Sequence, residues 1–426
     1  MVYAATEFTV NNRHYRVPAR PVVVICIDGG ADEYLSAAMC RGRVPHITAM
    51  SARGYRGLVR AALPTLTNVN NASICTGLPP SKTGICGNFF IDPDTGREVM
   101  TNSTRYLRAP TILAAASEAG RKVAFVTAKD KLRAFLSSGL RGIAFSSEKA
   151  DEARLPTHGI ADVESMVGES KPSIYSGAAS VFALQAGVAM IADGHADFLY
   201  LSLTDYLQHK FAPEQEPVVE FYEQLDHEIG RMLELGAVVG VTADHGMNAK
   251  HDGMGQPQVL YLETELVARF GDGIRVVCPI TDPYIVHHGA LGGAATVYLP
   301  EGLDRAAVIA WIADLCGVSE VYPRELAARK LELDPDRIGD IYVLATRDVV
   351  LGRTPADHDV GGLDRPLRSH GSRYEEMVPM IVSEPLSAGY RMKAMSDPRN
   401  FDIFDFVCNG TELGRESGQG EEWGRE

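Results

Sequence analysis

Four apolar runs of similar length recur along the first 250 residues, and each ends in polar residues. They are RPVVVICIDGG at 20–30, KVAFVTAKD at 122–130, ADFLYLSLTD at 196–205 and GAVVGVTADHG at 236–246. Runs rich in β-branched and aromatic residues are typical of strands buried on both faces of a parallel sheet. Helical patterns such as TILAAASEAG at 111–120 separate them. The alternation predicts an α/β fold of the alkaline phosphatase type, with a mainly parallel sheet flanked by helices.

The pattern changes after about residue 250. The segment 294–323 predicts a strand, a helix and a second strand, and 337–352 predicts a further strand. The chain then returns to a polar segment and an apolar run, SHGSRYEEMVPMIVSEP. We therefore predict a catalytic core formed by residues 1–250 and 366–426, with an inserted smaller α+β cap lobe at 251–365.

Composition narrows the functional classes. Forty-one Lys and Arg against 55 Asp and Glu give a formal charge of −14, which disfavours binding to the nucleic-acid backbone. The sequence has no stretch of about 18 apolar residues and no secretory leader, so we expect no membrane partner. Seven cysteines without a CxxC pair favour a reduced, cytoplasmic protein. A homodimer is compatible with this composition.

Carboxylates and imidazoles follow several of the predicted strands. Asp205 and His209 are four residues apart, so one helical turn would place both on one face. Each motif alone has an ordinary explanation, such as a polar turn or an exposed helix face. Together they predict a two-metal centre with the mixed oxygen and nitrogen donors that suit zinc. The six candidate ligands are Asp28, Asp205, His209, Asp244, His245 and His370.

Thr67 is the candidate nucleophile of this centre. It stands in LPTLTNVNNASICTG, a pattern that predicts a helix beginning after a loop. A threonine hydroxyl at a helix N-terminus is activated by metal coordination and by the helix dipole. The alternative is that Thr67 only caps the helix.

The ordered motifs PTLTNVNN, TGLPPSKTGI, TDYLQH, TADHGM and SHG resemble those of nucleotide pyrophosphatase/phosphodiesterases in the alkaline phosphatase superfamily. The resemblance implies two zinc ions. It places Asp205, His209 and His370 on one ion, and Asp28, Asp244 and His245 on the other. It also implies that Thr67 faces both ions and that Asn88 donates a hydrogen bond to a phosphoryl oxygen. Asn68, Val69 and Asn71 stand where the diesterases have an aromatic residue, a proline and a histidine, which disfavours nucleotide diesters.

Lys129 and Lys131 point to the substrate class. Both follow a predicted strand at the sheet edge that should face the metals, where two ammonium groups would bind a carboxylate. A solvated lysine pair opening a helix is the alternative. With these lysines and a short inserted lobe, the chain resembles the branch of the superfamily that hydrolyses the carbon–phosphorus bond of phosphonoacetate, a small phosphonate. That resemblance implies a phosphothreonine intermediate.

Two other functions stay open. A phosphodiesterase or nucleotide pyrophosphatase would keep every metal ligand and change only the pocket for the leaving group. A catalytically inactive metal-binding protein would keep the ligands without turnover. The group that protonates the leaving carbon is unassigned among His251, His287, His288 and His358.

Overall fold

Strands and helices alternate along most of the chain, of which the computed structural model describes residues 6–281 and 289–411. The strands in those residues are β1 Thr6–Val10, β2 Arg13–Val17, β3 Val22–Cys26, β4 Tyr55–Arg60, β5 Phe89–Ile91, β6 Glu98–Met100, β7 Val123–Thr127, β8 Ile143–Ser146, β9 Phe198–Ser202, β10 Val238–Thr242, β11 Asn248–Ala249, β12 Val259–Tyr261, β13 Arg275–Val277, β14 Ala294–Tyr298, β15 Val318–Pro323, β16 Ile341–Ala345, β17 Val350–Gly352, β18 Arg368–Ser369 and β19 Met377–Val382. The α-helices are α1 Asp32–Cys40, α2 Pro45–Arg53, α3 Thr67–Thr76, α4 Pro80–Thr83, α5 Ile112–Glu118, α6 Asp130–Leu136, α7 Leu155–His158, α8 Val163–Val167, α9 Ala178–Ala192, α10 Tyr206–Lys210, α11 Glu216–Glu234, α12 Leu262–Phe270, α13 Arg305–Ala313, α14 Arg324–Lys330, α15 Ala388–Ala394 and α16 Ile403–Asn409.

The central sheet has seven strands in the order β4-β19-β10-β3-β9-β7-β8. Its five strands from β10 to β8 are parallel, whereas β19 pairs antiparallel with β10 and β4 pairs antiparallel with β19 at one edge. The predicted α/β fold with a mainly parallel sheet is therefore confirmed, and all four apolar runs are parallel strands of this sheet.

Helices cover both faces of the sheet, which explains why β3, β7, β9 and β10 are buried at every position. Successive side chains of a strand point to opposite faces. In β3, Val24 and Cys26 pack in a core shared with α3, α5 and α16. Val23 and Ile25 pack in a second core with α1, α2, α9 and α11. All five β3 residues are buried, so this strand carries no polar side chain until Asp28, just beyond its carboxyl end.

A second, four-stranded antiparallel sheet forms in the later part of the chain, in the order β13-β14-β16-β15. Its buried residues form a separate apolar cluster with α12 and α13. The predicted strand, helix, strand and later strand correspond to β14, α13, β15 and β16. The division into a core of 1–250 and 366–426 and a lobe of 251–365 stays a prediction of the sequence.

The N-terminal segment contains a hairpin that the sequence analysis did not predict. Strands β1 and β2 pair in antiparallel register around Asn11 and Asn12. Both asparagines have positive φ, 54° and 59°, as a two-residue hairpin turn of type I′ requires. The signal was present, because Asn tolerates this conformation and alternating residues flank the pair.

All seven cysteines are free thiols, five of them buried. Among the described residues, no helix combines the length and the apolar composition needed to cross a bilayer. The four histidines left open in the sequence analysis divide into two groups. His287 and His288 lie outside the described residues. His358 takes part in backbone hydrogen bonds through both ring nitrogens, and His251 through Nδ1.

Candidate metal centre and active site

The candidate ligands converge at the carboxyl ends of neighbouring parallel strands. Asp28 follows β3, Asp205 follows β9, and Asp244 and His245 follow β10. His370 lies between β18 and β19, where the chain returns to the sheet. Because parallel strands end on one side of a sheet, residues distant in sequence meet there, as predicted.

The first cluster contains Asp205, His209 and His370, all buried. One ligand atom from each lies within 4.8 Å of the others. His209 Nε2 is 2.9 Å from Asp205 Oδ2, and His370 Nε2 is 3.8 Å from the same oxygen. Helix α10 begins directly after Asp205, so its first turn carries His209 back over the carboxylate.

The second cluster contains Asp28, Asp244 and His245, all with 0% exposure. His245 Nε2 is 3.3 Å from Asp28 Oδ1 and 3.8 Å from Asp244 Oδ2. The His245 ring stacks on the His370 ring of the first cluster, with centroids 3.5 Å apart and planes at 8°. The two clusters are therefore adjacent halves of one centre.

Each of the three histidines presents Nε2 to this centre because Nδ1 is bonded to a backbone carbonyl. His209 Nδ1 is 2.8 Å from Arg368 O, and His245 Nδ1 is 2.9 Å from Gly246 O. His370 Nδ1 is 2.6 Å from Thr65 O. A carbonyl accepts only, so Nδ1 carries the proton and Nε2 keeps its lone pair, as in metal-ligating histidines.

The local charge also fits bound cations. Burial and the neighbouring Asp28 carboxylate raise the pKa of Asp244 well above its usual range. Burial opposes protonation of His245, yet the Asp244 and Asp28 carboxylates raise the pKa of that imidazole to about 9. These groups attract positive charge, which divalent metal ions would supply in place of protons. Three carboxylates and three imidazoles that face the centre through Nε2 make a donor set that fits two divalent ions.

Gly29 lets the loop after β3 enter this centre. Its φ is +66°, and a Cβ there would lie 3.1 Å from Asp205 Cβ. Its backbone N–H donates to Asp244 Oδ1 at 3.1 Å. A side chain at this position would strain the turn and crowd Asp205, so glycine is required between the two clusters.

Thr67 is the first residue of α3, as the sequence predicted. Its Oγ1 lies 3.4 Å from Asp28 Oδ1 and 3.3 Å from His245 Nε2. The hydroxyl therefore borders the second cluster, and the same cavity is lined by Asp205 and His370 of the first. The N-terminus of α3 adds a positive potential that stabilises negative charge on this oxygen.

Lys129 and Lys131 line the cavity beside Thr67, at the carboxyl end of β7. Lys129 Nζ is 3.0 Å from Asp205 Oδ1 and 3.4 Å from Asp28 Oδ2. Burial alone would raise the pKa of Asp205, but Lys129 and the histidines lower it well below its usual range. Lys129 thus contacts both clusters, a position that the sequence analysis, which assigned it only to substrate, did not anticipate.

Asn88 borders the same cavity. Its Nδ2 donates to Ile280 O at 3.1 Å, and its Oδ1 is buried without a hydrogen-bond partner among the described residues. An amide NH₂ group carries two N–H donors, so Asn88 can donate to a second acceptor beside this cavity. The cavity also includes Asn68 and Asn102, which the sequence analysis did not assign to the site.

Thr65 forms hydrogen bonds that connect the loop before Thr67 to the loop that carries His370. Its carbonyl accepts from His370 Nδ1, and its hydroxyl donates to Ser372 O at 2.8 Å and accepts from Gly371 N–H at 3.0 Å. The sequence analysis missed this residue, because its partners lie some 300 positions away and no local pattern indicates them.

A family model described as type I phosphodiesterase / nucleotide pyrophosphatase matches residues 22–373. The chain is similar to the crystal structures of a phosphonoacetate hydrolase from Sinorhizobium meliloti 1021, in complex with phosphonoformate and with phosphonoacetate. In both, identity is 44%, with 96% of this chain and 99% of that chain covered and a TM-score of 0.90.

More distant relatives share the fold. Murine ectonucleotide pyrophosphatase / phosphodiesterase 5 superposes with a TM-score of 0.59 at 16% identity, covering 91% of this chain and 94% of that one. An uncharacterized pyrophosphatase/phosphodiesterase of Schizosaccharomyces pombe is 32% identical over 91 residues. That match spans 21% of this chain and 18% of the yeast protein.

Proposed function

The chain belongs to the type I phosphodiesterase / nucleotide pyrophosphatase family, and within this family we propose that it hydrolyses the carbon–phosphorus bond of phosphonoacetate to acetate and phosphate. The observation that carries the proposal is one cavity in which Thr67 adjoins Lys129, Lys131 and two ligands of the first cluster, Asp205 and His370. The Thr67 hydroxyl also contacts Asp28 and His245 of the second cluster. A hydroxyl beside two cations suits attack at phosphorus. Ammonium groups in the same cavity suit a substrate that also bears a carboxylate. The similarity to the S. meliloti phosphonoacetate hydrolase supports the same substrate.

We propose Zn²⁺ as the cation at both clusters, because three Asp and three His ligands match its preference for mixed oxygen and nitrogen donors. Asp205, His209 and His370 would hold one ion. Asp28, Asp244 and His245 would hold the other, with Thr67 Oγ1 beside it. Bound there, the ions would polarise the phosphoryl oxygens and favour the alkoxide form of the Thr67 hydroxyl.

In the first step Thr67 Oγ1 forms a bond to phosphorus while the bond from phosphorus to the α-carbon breaks. The electron pair of that bond moves to the α-carbon and delocalises into the neighbouring carboxylate, which makes an otherwise poor leaving group acceptable. Lys129 and Lys131 stabilise this charge as it develops. Protonation of the α-carbon gives acetate and leaves a phosphothreonine.

In the second step water attacks the phosphorus of the phosphothreonine, the bond to Oγ1 breaks, and phosphate leaves with Thr67 restored. The amide N–H of Asn88 donates to a phosphoryl oxygen in both steps, where negative charge increases. The overall reaction consumes one water and requires no oxidant or reductant.

Phosphodiester hydrolysis is the second candidate, because the family model that matches residues 22–373 describes phosphodiesterases. It would use the same ligands and Thr67. The neutral part of a nucleoside or aryl leaving group would find no anionic match to Lys129 and Lys131, so the lysine pair favours the carboxylated phosphonate.

Phosphate release distinguishes the two candidates. The zinc-loaded protein is incubated separately with phosphonoacetate, methylphosphonate and a nitrophenyl phosphodiester, and phosphate or nitrophenolate is measured over time. We expect fast release from phosphonoacetate and none from methylphosphonate, which lacks the carboxylate that stabilises the leaving carbon. Turnover of the diester alone would replace the proposal with a phosphodiesterase. Zinc binding without any turnover would leave a metal-binding protein.

We also propose a cytoplasmic location, which the free thiols of all seven cysteines support. The homodimer stays a prediction of the sequence.

A further inference from the structure

Asn71 lies one helical turn after Thr67 on α3 and has 0% exposure. Its amide makes four hydrogen bonds. Nδ2 donates to the Thr67 carbonyl at 3.0 Å and to Asp244 Oδ2 at 3.2 Å. Oδ1 accepts from Tyr200 Oη at 2.6 Å and from Ser202 Oγ at 2.8 Å. This side chain therefore contacts both the nucleophile's backbone and a candidate metal ligand.

The orientation of the Asn71 amide is fixed by its partners. The Thr67 carbonyl can only accept, so the atom beside it is the NH₂ group. Tyr200 and Ser202 are two residues apart on β9, and both point from the same face of that strand toward Oδ1. Burial raises the pKa of Tyr200 well above its usual range, so its hydroxyl stays a donor.

The carboxylate of Asp244 is held from two sides. Oδ1 accepts the backbone N–H of Gly29 at 3.1 Å and that of His245 at 3.0 Å. Oδ2 accepts from Asn71 and is the oxygen 3.8 Å from His245 Nε2. The backbone thus fixes one oxygen, and Asn71 orients the other toward the second cluster.

We infer that Asn71 is a positioning residue, which holds Asp244 Oδ2 in place for the cation at the Asp28, Asp244 and His245 cluster and links that ligand to the turn of α3 that carries Thr67. The inference rests on the cation sites of the proposed function and is independent of the substrate. Hydrogen-bonded neighbours of this kind orient metal ligands and increase metal affinity. Asn71 does not contact the first cluster through any of these bonds, so its effect is on one site of the two.

The neighbouring Asn70 is a matched control. It is also on α3 and has 0% exposure. Its Oδ1 accepts from Ala62 N–H at 2.7 Å and from Asn400 Nδ2 at 3.0 Å. Its Nδ2 donates to Ala62 O and Leu66 O. Asn70 and Asn71 thus have similar burial and hydrogen bonding, and they differ in that the Asn71 amide donates to a cluster ligand, Asp244.

The test measures zinc affinity of the full chain after treatment with a chelator. Asn71→Ala, Asn70→Ala and the parent protein are titrated with Zn²⁺ against a competing chromophoric chelator, and bound zinc is counted. We expect Asn71→Ala to weaken one of the two equivalents by about 10- to 100-fold and to leave the other unchanged. Asn70→Ala is expected to lower thermal stability while both affinities stay at the parent values.

Two variants that each remove a single hydroxyl group test the inference if Asn71→Ala does not fold. Ser202→Ala and Tyr200→Phe each remove one donor to Asn71 Oδ1. Each variant should weaken zinc binding at the same site as Asn71→Ala does, but to a smaller extent. The amide loses one hydrogen bond and keeps its bond to Asp244. Addition of Ser202→Ala to Asn71→Ala should then cause no further loss.

Equal affinities in the parent and in Asn71→Ala would overturn the inference, as would an equal loss at both equivalents or the same loss in Asn70→Ala. Failure of the proposed function looks different. If the parent binds two zinc ions but does not hydrolyse phosphonoacetate, the reaction is wrong, while the site-specific loss in Asn71→Ala still decides the role of Asn71.

Discussion

Two buried polar clusters lie at opposite ends of the central sheet, and they differ in how their charge is balanced. At the amino ends of β7 and β9, Arg121 Nε is 2.8 Å from Asp197 Oδ1, with side chains only 2% and 5% exposed. Other N–H groups of Arg121 donate to the carbonyls of Pro18, Arg20 and Asp197. In this pair a positive guanidinium contacts a negative carboxylate, and the guanidinium is also bonded to the backbone around it.

At the carboxyl ends, three carboxylates lie in two adjacent clusters with three imidazoles, and Lys129 pairs with the Asp28 and Asp205 carboxylates. Burial and the Asp28 carboxylate raise the pKa of Asp244, and the Asp244 and Asp28 carboxylates raise the pKa of His245 against the effect of burial. Burial of charge is common to both ends. The carboxyl end differs in that its candidate metal ligands repel one another unless positive charge is added.

The largest effect should come from removing the nucleophile at the carboxyl end. We expect Thr67→Ala to reduce phosphonoacetate hydrolysis by on the order of 10⁴-fold or more, as for other lost nucleophiles. Phosphate release is the measurement. Thr76→Val serves as the control, because Thr76 is buried on the same helix and its hydroxyl donates only to carbonyls of α3. Comparable losses in both variants would mean that Thr67 acts through the helix and not as nucleophile.

The next effect should come from breaking the balanced pair at the amino end. Asp197→Asn removes the carboxylate that pairs with the buried Arg121 guanidinium, and loss of one partner of a buried pair costs about 3–5 kcal/mol. The measurement is urea unfolding of the metal-loaded protein. Zinc content of the folded protein should stay at the parent value, because Asp197 is at the other end of the strand from Asp205. Loss of zinc would show that the two ends are coupled.

The third effect concerns Lys129 and Lys131, which we propose favour a carboxylated phosphonate over an ester as substrate. In the double variant Lys129→Met, Lys131→Met, kcat/KM for phosphonoacetate should fall by roughly 10- to 100-fold, the scale of losing charged hydrogen bonds. Cleavage of a nitrophenyl phosphodiester should change much less. Lys131→Met alone keeps Lys129 and its ion pairs with Asp28 and Asp205, so it measures the part of the loss that does not depend on those pairs. An unchanged kcat/KM in the double variant would show that the two lysines do not contribute to phosphonoacetate hydrolysis.

The smallest effect has the opposite sign. Asp28→Asn removes one of the mutually repelling carboxylates, so it should increase the stability of the chelator-treated protein by on the order of 1 kcal/mol while weakening zinc binding. The measurement is thermal unfolding with and without zinc. Destabilisation of the chelator-treated variant would indicate that the carboxyl end is balanced like the amino end.

Much of the fold and the ligand set was predictable because both have local signals. Apolar runs such as β3 identify buried parallel strands, and parallel strands bring Asp28, Asp205 and Asp244 to one edge. The i, i+4 spacing of Asp205 and His209 is also local. Whether these residues bind zinc stays a prediction.

Other parts of the site depend on contacts that no local pattern indicates. Asn71 stood out in the sequence only as a difference from the diesterase motif, and its bonds to Tyr200 and Asp244 join α3 to β9 and to the loop after β10. The antiparallel pairing of β4 with β19 likewise joins segments more than 300 residues apart. Such pairings are set by the packing of the whole domain, so they were found only in the structure.

The central claim is that the carboxyl end of the sheet holds two cations beside Thr67. A crystal structure of the zinc-loaded protein, with anomalous data collected above and below the zinc absorption edge, tests it most directly. We expect two anomalous peaks. One should mark a zinc ion coordinated by Asp205, His209 and His370, and the other a zinc ion coordinated by Asp28, Asp244 and His245. A single peak, or zinc bound away from these residues, would contradict it.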